Sequence, residues 1–239
     1  MTTEGQPRTG RVLRGALLLV PLLLACWWLW SRPRQGESPF DDALDSALAP
    51  VMRQSELLQE FRNLTRAQAR LLARDLAARS VPDLGARDLE LWAATRARVA
   101  RASQPACARL WKGGDDDFLG PAIADLGPEV LDAHVEMLAR ALALRLELLR
   151  LQRKPEPPAS VATIQRGIAA IAAQLPAAER AAFEQDVGRP DVSDVRACQL
   201  YLTVSTGAES LEPQQRREFY RALASALPVP HGAPRAAPR

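Results

Sequence analysis

From residue 39 onward, apolar residues recur every three or four positions, and no run alternates with period two for long enough to make a strand. The pattern predicts helices throughout. Ser38-Pro39-Phe40-Asp41 supplies a cap with proline at the first helical position, and Pro50 is expected to break or kink that segment before Val51–Arg62. Thr65-Arg66-Ala67-Gln68 reads as a capping box opening a helix that carries Leu71 and Leu72. A further helix is expected from about Asp83 to Arg101, burying Leu89, Trp92 and Val99. The clearest periodicity runs from Pro128 to about Lys154: Val130, Leu131, Val135, Leu138, Leu142, Leu146 and Leu149 share one face, and Pro155-Glu156-Pro157-Pro158 stops the helix. Shorter helices follow at about 160–174, 176–187, 191–208 and 213–226, and Leu227–Arg239 has the Pro/Ala/Gly composition of a disordered tail. The expected fold class is therefore all-α: about seven to nine helices in a bundle or irregular helical array, behind an N-terminal transmembrane helix.

That transmembrane helix rests on Gly15–Trp30, which holds 16 residues without a charge. The length lies between a signal-peptide core and a full span of about 20 residues. Val12 and Leu13 can extend it while Arg14 snorkels to the headgroups. Trp27, Trp28 and Trp30 crowd the distal end as an interfacial belt, with Arg32 beyond them, and no small-x-small cleavage site follows. An uncleaved signal anchor is expected. The alternative is a lipoprotein acylated at Cys26, since Leu23-Leu24-Ala25-Cys26 resembles a lipobox. Three arginines precede the apolar stretch and two follow it, soon opposed by Glu37, Asp41 and Asp42, which favours an N-terminus in the cytoplasm. The expected organisation is a cytoplasmic N-terminus (1–14), the anchor (15–30), a polar linker (31–38), a helical periplasmic domain (39–226) and the tail (227–239).

Charge sharpens this picture. The chain has 239 residues with 31 Lys+Arg against 28 Asp+Glu, but five of the arginines flank the anchor. From residue 35 on, 26 basic residues face 27 acidic ones, so the body is neutral. Arginines are scattered among acids rather than pooled in a basic patch, which argues against nucleic acid as a partner. They are expected on solvated helix faces with i,i+4 partners. The Arg and Ala bias, with Asn63 the only asparagine, points to high-GC coding and a bacterial source. A bacterial reading places the protein in the inner membrane, spanning it once, with the body in the periplasm.

Candidate chemistry is sparse. Cys107 and Cys198 are the only cysteines outside the apolar segment. In an oxidising compartment they read as a disulfide, worth roughly 4–5 kcal/mol for a loop of about 90 residues in the chain-entropy model; the alternative is two separate buried thiols. Gly113-Gly114-Asp115-Asp116-Asp117 is the most polar interruption of the body, and Asp115, Asp116 and Asp117 lack the alternating ligand spacing of a calcium loop. The segment is expected to be a solvated loop and is a candidate contact point for a protein partner. His134, beside Glu136, has the right pKa range for acid–base work but no second histidine in the folded region; a surface or interface histidine is expected. Neither a nucleophile motif nor a phosphate loop stands out, so no catalytic, cofactor or metal residue is assigned. Leu175-Pro176 through Phe183 echoes Leu211-Glu212-Pro213 through Phe219, an echo read as shared helix-capping chemistry rather than a repeat.

Leu64-Thr65-Arg66-Ala67-Gln68 resembles the L-T-x-x-Q motif of the Spy/CpxP periplasmic chaperones, and Leu211-Glu212-Pro213-Gln214-Gln215 resembles a degenerate second copy. The resemblance covers about ten residues and implies a small all-helical holdase. Taken together, the residues lead to the expectation of a membrane-tethered, non-enzymatic helical interaction or scaffold protein. It would need no cofactor and would contact the membrane through its N-terminal helix and a protein partner through its body. A periplasmic chaperone-like holdase is the alternative, and an enzyme with an unrecognised site comes third.

Overall fold

A computed structural model describes residues 38–55, 61, 63–113, 118–189 and 191–226. All of the regular structure among them is helical. Among these residues ten α-helices run in the order α1 (Pro39–Ser55), α2 (Arg66–Ser80), α3 (Ala86–Ala102), α4 (Gln104–Lys112), α5 (Leu119–Ala124), α6 (Pro128–Arg150), α7 (Val161–Gln174), α8 (Ala177–Asp186), α9 (Asp194–Glu209) and α10 (Pro213–Ala226). A 3₁₀ turn, Val81–Asp83, joins α2 to α3. No helix of the described residues is long and apolar enough to cross a membrane. The apolar segment Gly15–Trp30 lies outside the described residues, and so does the tail from residue 227.

Local signals explain most helix ends. At the start of α1 the Asp41 N–H donates to Ser38 Oγ at 3.2 Å, and the Ser38 N–H donates back to Asp41 Oδ2 at 3.2 Å. Thr65 caps α2 by the reciprocal arrangement with Gln68. Ser103 accepts from the Ala106 N–H and, with Pro105 in the first turn, opens α4. Pro50 does not end α1 as expected; the helix runs through it to Ser55. Pro50 sits on the exposed face, where water can take the freed carbonyl of Ser46, while Leu44 and Leu48 on the opposite face are 6% and 0% exposed. Packing of the buried face outweighs the missing hydrogen bond. The long helix ends at Arg150, short of the expected stop at Lys154, and Gln152 takes a positive φ of 53° just beyond it.

Helix α6 is the spine. On one side Val135, Leu142 and Leu146 pack with Leu44 and Leu48 of α1 and Ala73 and Ala77 of α2. On the other, Met137 and Ala141 join the largest cluster, which holds Leu89 and Trp92 of α3, Ile171 of α7, Leu200 and Val204 of α9 and Phe219 of α10. Its first turn, through Val130 and Leu131, rests against a third cluster built around Cys107, Ile123 and Cys198. Burying side chains such as Leu142 and Met137, both 0% exposed, contributes about 1.5–3 kcal/mol each before entropy is counted. Two close approaches hold the second half together. Gly167 of α7 leaves room for the Phe219 ring, which a Cβ there would strike, and Gly207 of α9 does the same for Ile171.

Of the two positions expected for His134, surface or interface, the structure overturns the surface one. The residue is 4% exposed, on the same side of α6 as Met137 and Ala141, with the Phe40 ring centroid 6.2 Å away. The arginines depart from expectation as well. Arg79 pairs with Asp75 at i,i+4, but many others tie different helices together. Arg74 of α2 reaches Asp41 Oδ1 at 2.6 Å and Asp45 Oδ1 at 2.8 Å on α1, and Arg140 of α6 grips Asp88 of α3 at 2.7 Å.

Candidate functional site

The structure joins the cysteine pair that the sequence reads as a disulfide. Cys107 of α4 and Cys198 of α9 form a disulfide across 91 positions, with Cα atoms 4.9 Å apart. Cys107 is fully buried and Cys198 is 8% exposed. The bridge faces the cluster of Val99, Leu110 and Ile123, so α4, α5 and α9 are fixed to one another at their shared core.

One helical turn away, the same two helices contribute walls to a cleft of ≈ 90 Å³. Leu110 follows Cys107 by three residues, and Tyr201 follows Cys198 by three. Helix α3 adds Trp92, Ala93 and Arg96; α9 adds Val204, Ser205 and Ala208; α10 adds Phe219, Tyr220 and Leu223. The deeper lining is almost fully shielded, with Trp92, Arg96, Leu110 and Val204 each 7% exposed and Phe219 and Ala208 at 0%. Tyr201, Ser205, Leu223 and Ala93 are half-buried and form the mouth.

Among the described lining residues Arg96 is the charged one. Trp92 and Arg96 stand one turn apart on α3, and the guanidinium carbon lies 4.8 Å from the centroid of the Trp92 ring. Such a cation–π contact limits the rotamers that the long side chain can visit. Its field also reaches His134 on α6. Burial first, and the Arg96 charge second, push the His134 pKa down to about 4. The imidazole is therefore neutral at ordinary pH, and its Nδ1 finds no hydrogen-bond partner among the described residues. Burial, reinforced by the Glu209 carboxylate, raises the Tyr220 pKa, so its phenol stays protonated as a hydrogen-bond donor. Among the described residues the lining comprises one guanidinium, hydroxyl groups and aromatic walls.

The other residues singled out in the sequence are distributed as follows. Asp115, Asp116 and Asp117 lie outside the described residues, between α4 and α5. Arg14, Trp27, Trp28, Trp30, Arg32 and Cys26 lie outside them as well. Among the described residues no group of three or more His, Cys, Asp or Glu side chains could hold a metal ion. The Leu64–Gln68 motif is the N-terminal cap of α2, and its second copy leads into α10. Sequence reasoning missed Arg96, Tyr201 and Tyr220 as companions. The only available signal was Trp92 standing four residues before an arginine, and α3 carries Arg98 and Arg101 as well, so the spacing alone does not single out Arg96. No protein-family model, no curated protein and no solved structure matches the chain.

Proposed function

We propose that this protein is a membrane-tethered interaction domain: an N-terminal helix over residues 15–30 holds the chain in the bacterial inner membrane, and the helical body faces the periplasm to engage a protein partner. The carrying observation is the Cys107–Cys198 bridge, because structural disulfides persist in oxidising compartments and are rare in the bacterial cytosol. The 16 uncharged residues of Gly15–Trp30, with arginines weighted to the N-terminal side, supply the means of tethering. Acylation at Cys26 would leave the body in the same compartment by another anchor. The role is non-enzymatic in this reading, which draws on the want of a nucleophile motif or a phosphate loop in the sequence.

A holdase would need a contiguous exposed apolar face well above a few hundred Å². Among the described residues the large exposed hydrophobic side chains are Leu71, Leu151, Val161 and Val195, one each on α2, the connector after α6, α7 and α9. They give that reading no support. The test has two stages. Fusing alkaline phosphatase to the C-terminus should yield active enzyme, and a fluorescent-protein fusion at the same point should stay dark; the reverse result overturns the topology. In-membrane crosslinking followed by purification should then bring down a defined partner in constant proportion, and recovery of the chain alone rejects the interaction role.

A further inference from the structure

We propose that the connector between α6 and α7 is a docking strip: a polyproline II segment, Lys154–Ser160, presented to a protein partner whose groove is lined by aromatic side chains and rimmed by carboxylates. The proposal rests on the reading of the body as an interaction domain and names the surface used; it does not depend on the tether. Sequence fixes the conformation of the strip. Proline holds φ at about −65° at Pro155, Pro157 and Pro158, and the residue before each of them (Lys154, Glu156 and Pro157) is confined to extended or polyproline II backbone. Ser160, where the strip meets α7, has φ −75° and ψ 152°, the values of a polyproline II helix. The prolines are not needed to end α6. With Gln152 in the left-handed region, its N–H donates to the Leu149 carbonyl at 3.0 Å and the Arg153 N–H to the Leu148 carbonyl at 2.8 Å, a Schellman turn that stops the helix before Pro155.

A polyproline II helix repeats every three residues, so the strip has three edges. Glu156 and Ala159 share one, and that edge faces the body. Arg221 of α10 donates to the Pro157 carbonyl at 2.7 Å and pairs with Glu156 at 2.9 Å, and Ala159 is half-buried. The other two edges carry Pro155 with Pro158 and Lys154 with Pro157, all exposed. Arg221 thus pins the strip while its proline rings stay in water. Leu151 and Val161, 46% and 68% exposed, continue the apolar surface beyond its two ends. A stiff row of rings costs little entropy to bind, and a backbone without internal hydrogen bonds offers its remaining carbonyls to indole or phenol donors in an aromatic groove. Charge sets the rim. Arg153 and Lys154 are exposed at the start of the strip, and among the described residues neither is in an ion pair, whereas Glu156 is already matched by Arg221. Carboxylates at the corresponding end of the groove would complement them.

The experiment uses the full chain in its own membranes, with a photo-crosslinking phenylalanine analogue at Leu151 or Val161 beside the strip, or at exposed Arg66 of α2 or Glu184 of α8 as controls. Light should give the same protein adduct from both positions beside the strip and none from the controls, and the attached partner peptide should contain tryptophan or tyrosine. Pro155→Ala with Pro158→Ala should abolish the adduct while circular dichroism and the thermal midpoint stay unchanged, because both rings are exposed. Arg153→Glu should reduce it several-fold by reversing a rim charge, and serves where the proline variant unfolds. An adduct that survives the proline variant, a partner peptide without an aromatic residue, or an adduct between two copies of the chain would each overturn the strip. Adducts from the controls alone would overturn it too, while leaving the interaction reading in place. Recovery of the chain alone, both here and by unrestricted crosslinking, would remove that reading and the strip with it.

Discussion

Lowering the pH should destabilise the helical domain through one side chain, His134. Its imidazole is 4% exposed, and its pKa falls to about 4 through burial and then through the Arg96 charge. In the unfolded chain the same group titrates near 6.5. The folded state thus binds the proton less readily than the unfolded state. Its contribution is fully present above about pH 6.5, declines as the pH falls, and is lost once the pH passes about 4. At about pH 4.5 the unfolded histidine is almost wholly protonated and the folded one only about a quarter, a difference that linkage converts to about 2.5 kcal/mol. That is a sizeable share of a typical domain stability of about 5–15 kcal/mol.

Carboxylates titrate in the same window, so the measurement must isolate the histidine. Urea unfolding followed by far-ultraviolet circular dichroism, at about pH 7.5 and about pH 4.5, would be run on the natural chain and on His134→Leu. Leucine keeps an apolar volume beside Phe40 and carries no titrating group. The natural protein should lose about 2–3 kcal/mol more than the variant between the two conditions. Equal losses in both proteins would refute the reasoning, because they would mean that His134 is solvated or protonated in the folded state. A variant whose m-value changes would signal altered denatured-state exposure, and its difference would then be read from the pH dependence of the folded-state histidine resonance.

Removing the bridge with Cys107→Ala and Cys198→Ala should cost about 4–5 kcal/mol by the chain-entropy model for a loop closed across 91 positions, seen as a lower thermal midpoint that no longer responds to reductant. Gly167→Ala should destabilise by about 1–3 kcal/mol, because its Cβ would meet the fully buried Phe219 ring; a chemical-denaturation midpoint equal to that of the natural chain would contradict the packing. Arg180→Met should cost about 1–2 kcal/mol by stripping donors from the carbonyls of Ala172, Ala173 and Leu175, with faster amide exchange in the last turn of α7 as the local readout.

The all-helical class is legible in the sequence because it depends on periodicity, and most of the described helices have runs long enough to show it. Leu89, Trp92 and Val99 carry the spacing of buried positions and are buried. The short helices α4 and α5, with nine and six residues, do not read as helices: neither spans enough turns for a stripe to repeat. On α6 only one face is legible. Val135, Leu142 and Leu146 mark it, whereas the opposite stripe of His134, Met137 and Ala141 mixes a polar, a flexible and a small residue that look like an ordinary solvent side. A helix buried on two sides needs a second layer, and the need for that layer is not written in its own sequence. Arg96 is illegible for the same reason. It differs from Arg98 by two positions along the helix, and only the docking of α9 and α10 determines that Arg96 is buried while Arg98 stays exposed.

The arginines that looked like surface decoration solve a problem set by the short connections. Helices α7, α8 and α9 are followed by Leu175, Val187 and Ser210, none of them a glycine able to close the last turn in a left-handed conformation. Their final carbonyls still require donors. The next helix supplies them. Arg180, the fourth residue of α8, donates to the carbonyls of Ala172, Ala173 and Leu175; Arg216, the fourth residue of α10, donates to the Glu209 carbonyl at 2.8 Å; and Arg196 of α9 reaches the Ala182 carbonyl at 3.1 Å and the Asp186 carboxylate at 2.7 Å. A positive charge at a helix C-terminus also meets the negative end of the macrodipole. This accounts for the echo between the Leu175–Phe183 and Leu211–Phe219 stretches: in each, an arginine three residues before a buried phenylalanine clips the helix behind while the ring locks into the core. Lysine, with a single rotatable ammonium, could not hold two or three carbonyls in a fixed fork. The bias toward arginine in this neutral body thus has a structural use at the corners, where it ties each of the helices α7, α8 and α9 to the one that follows it.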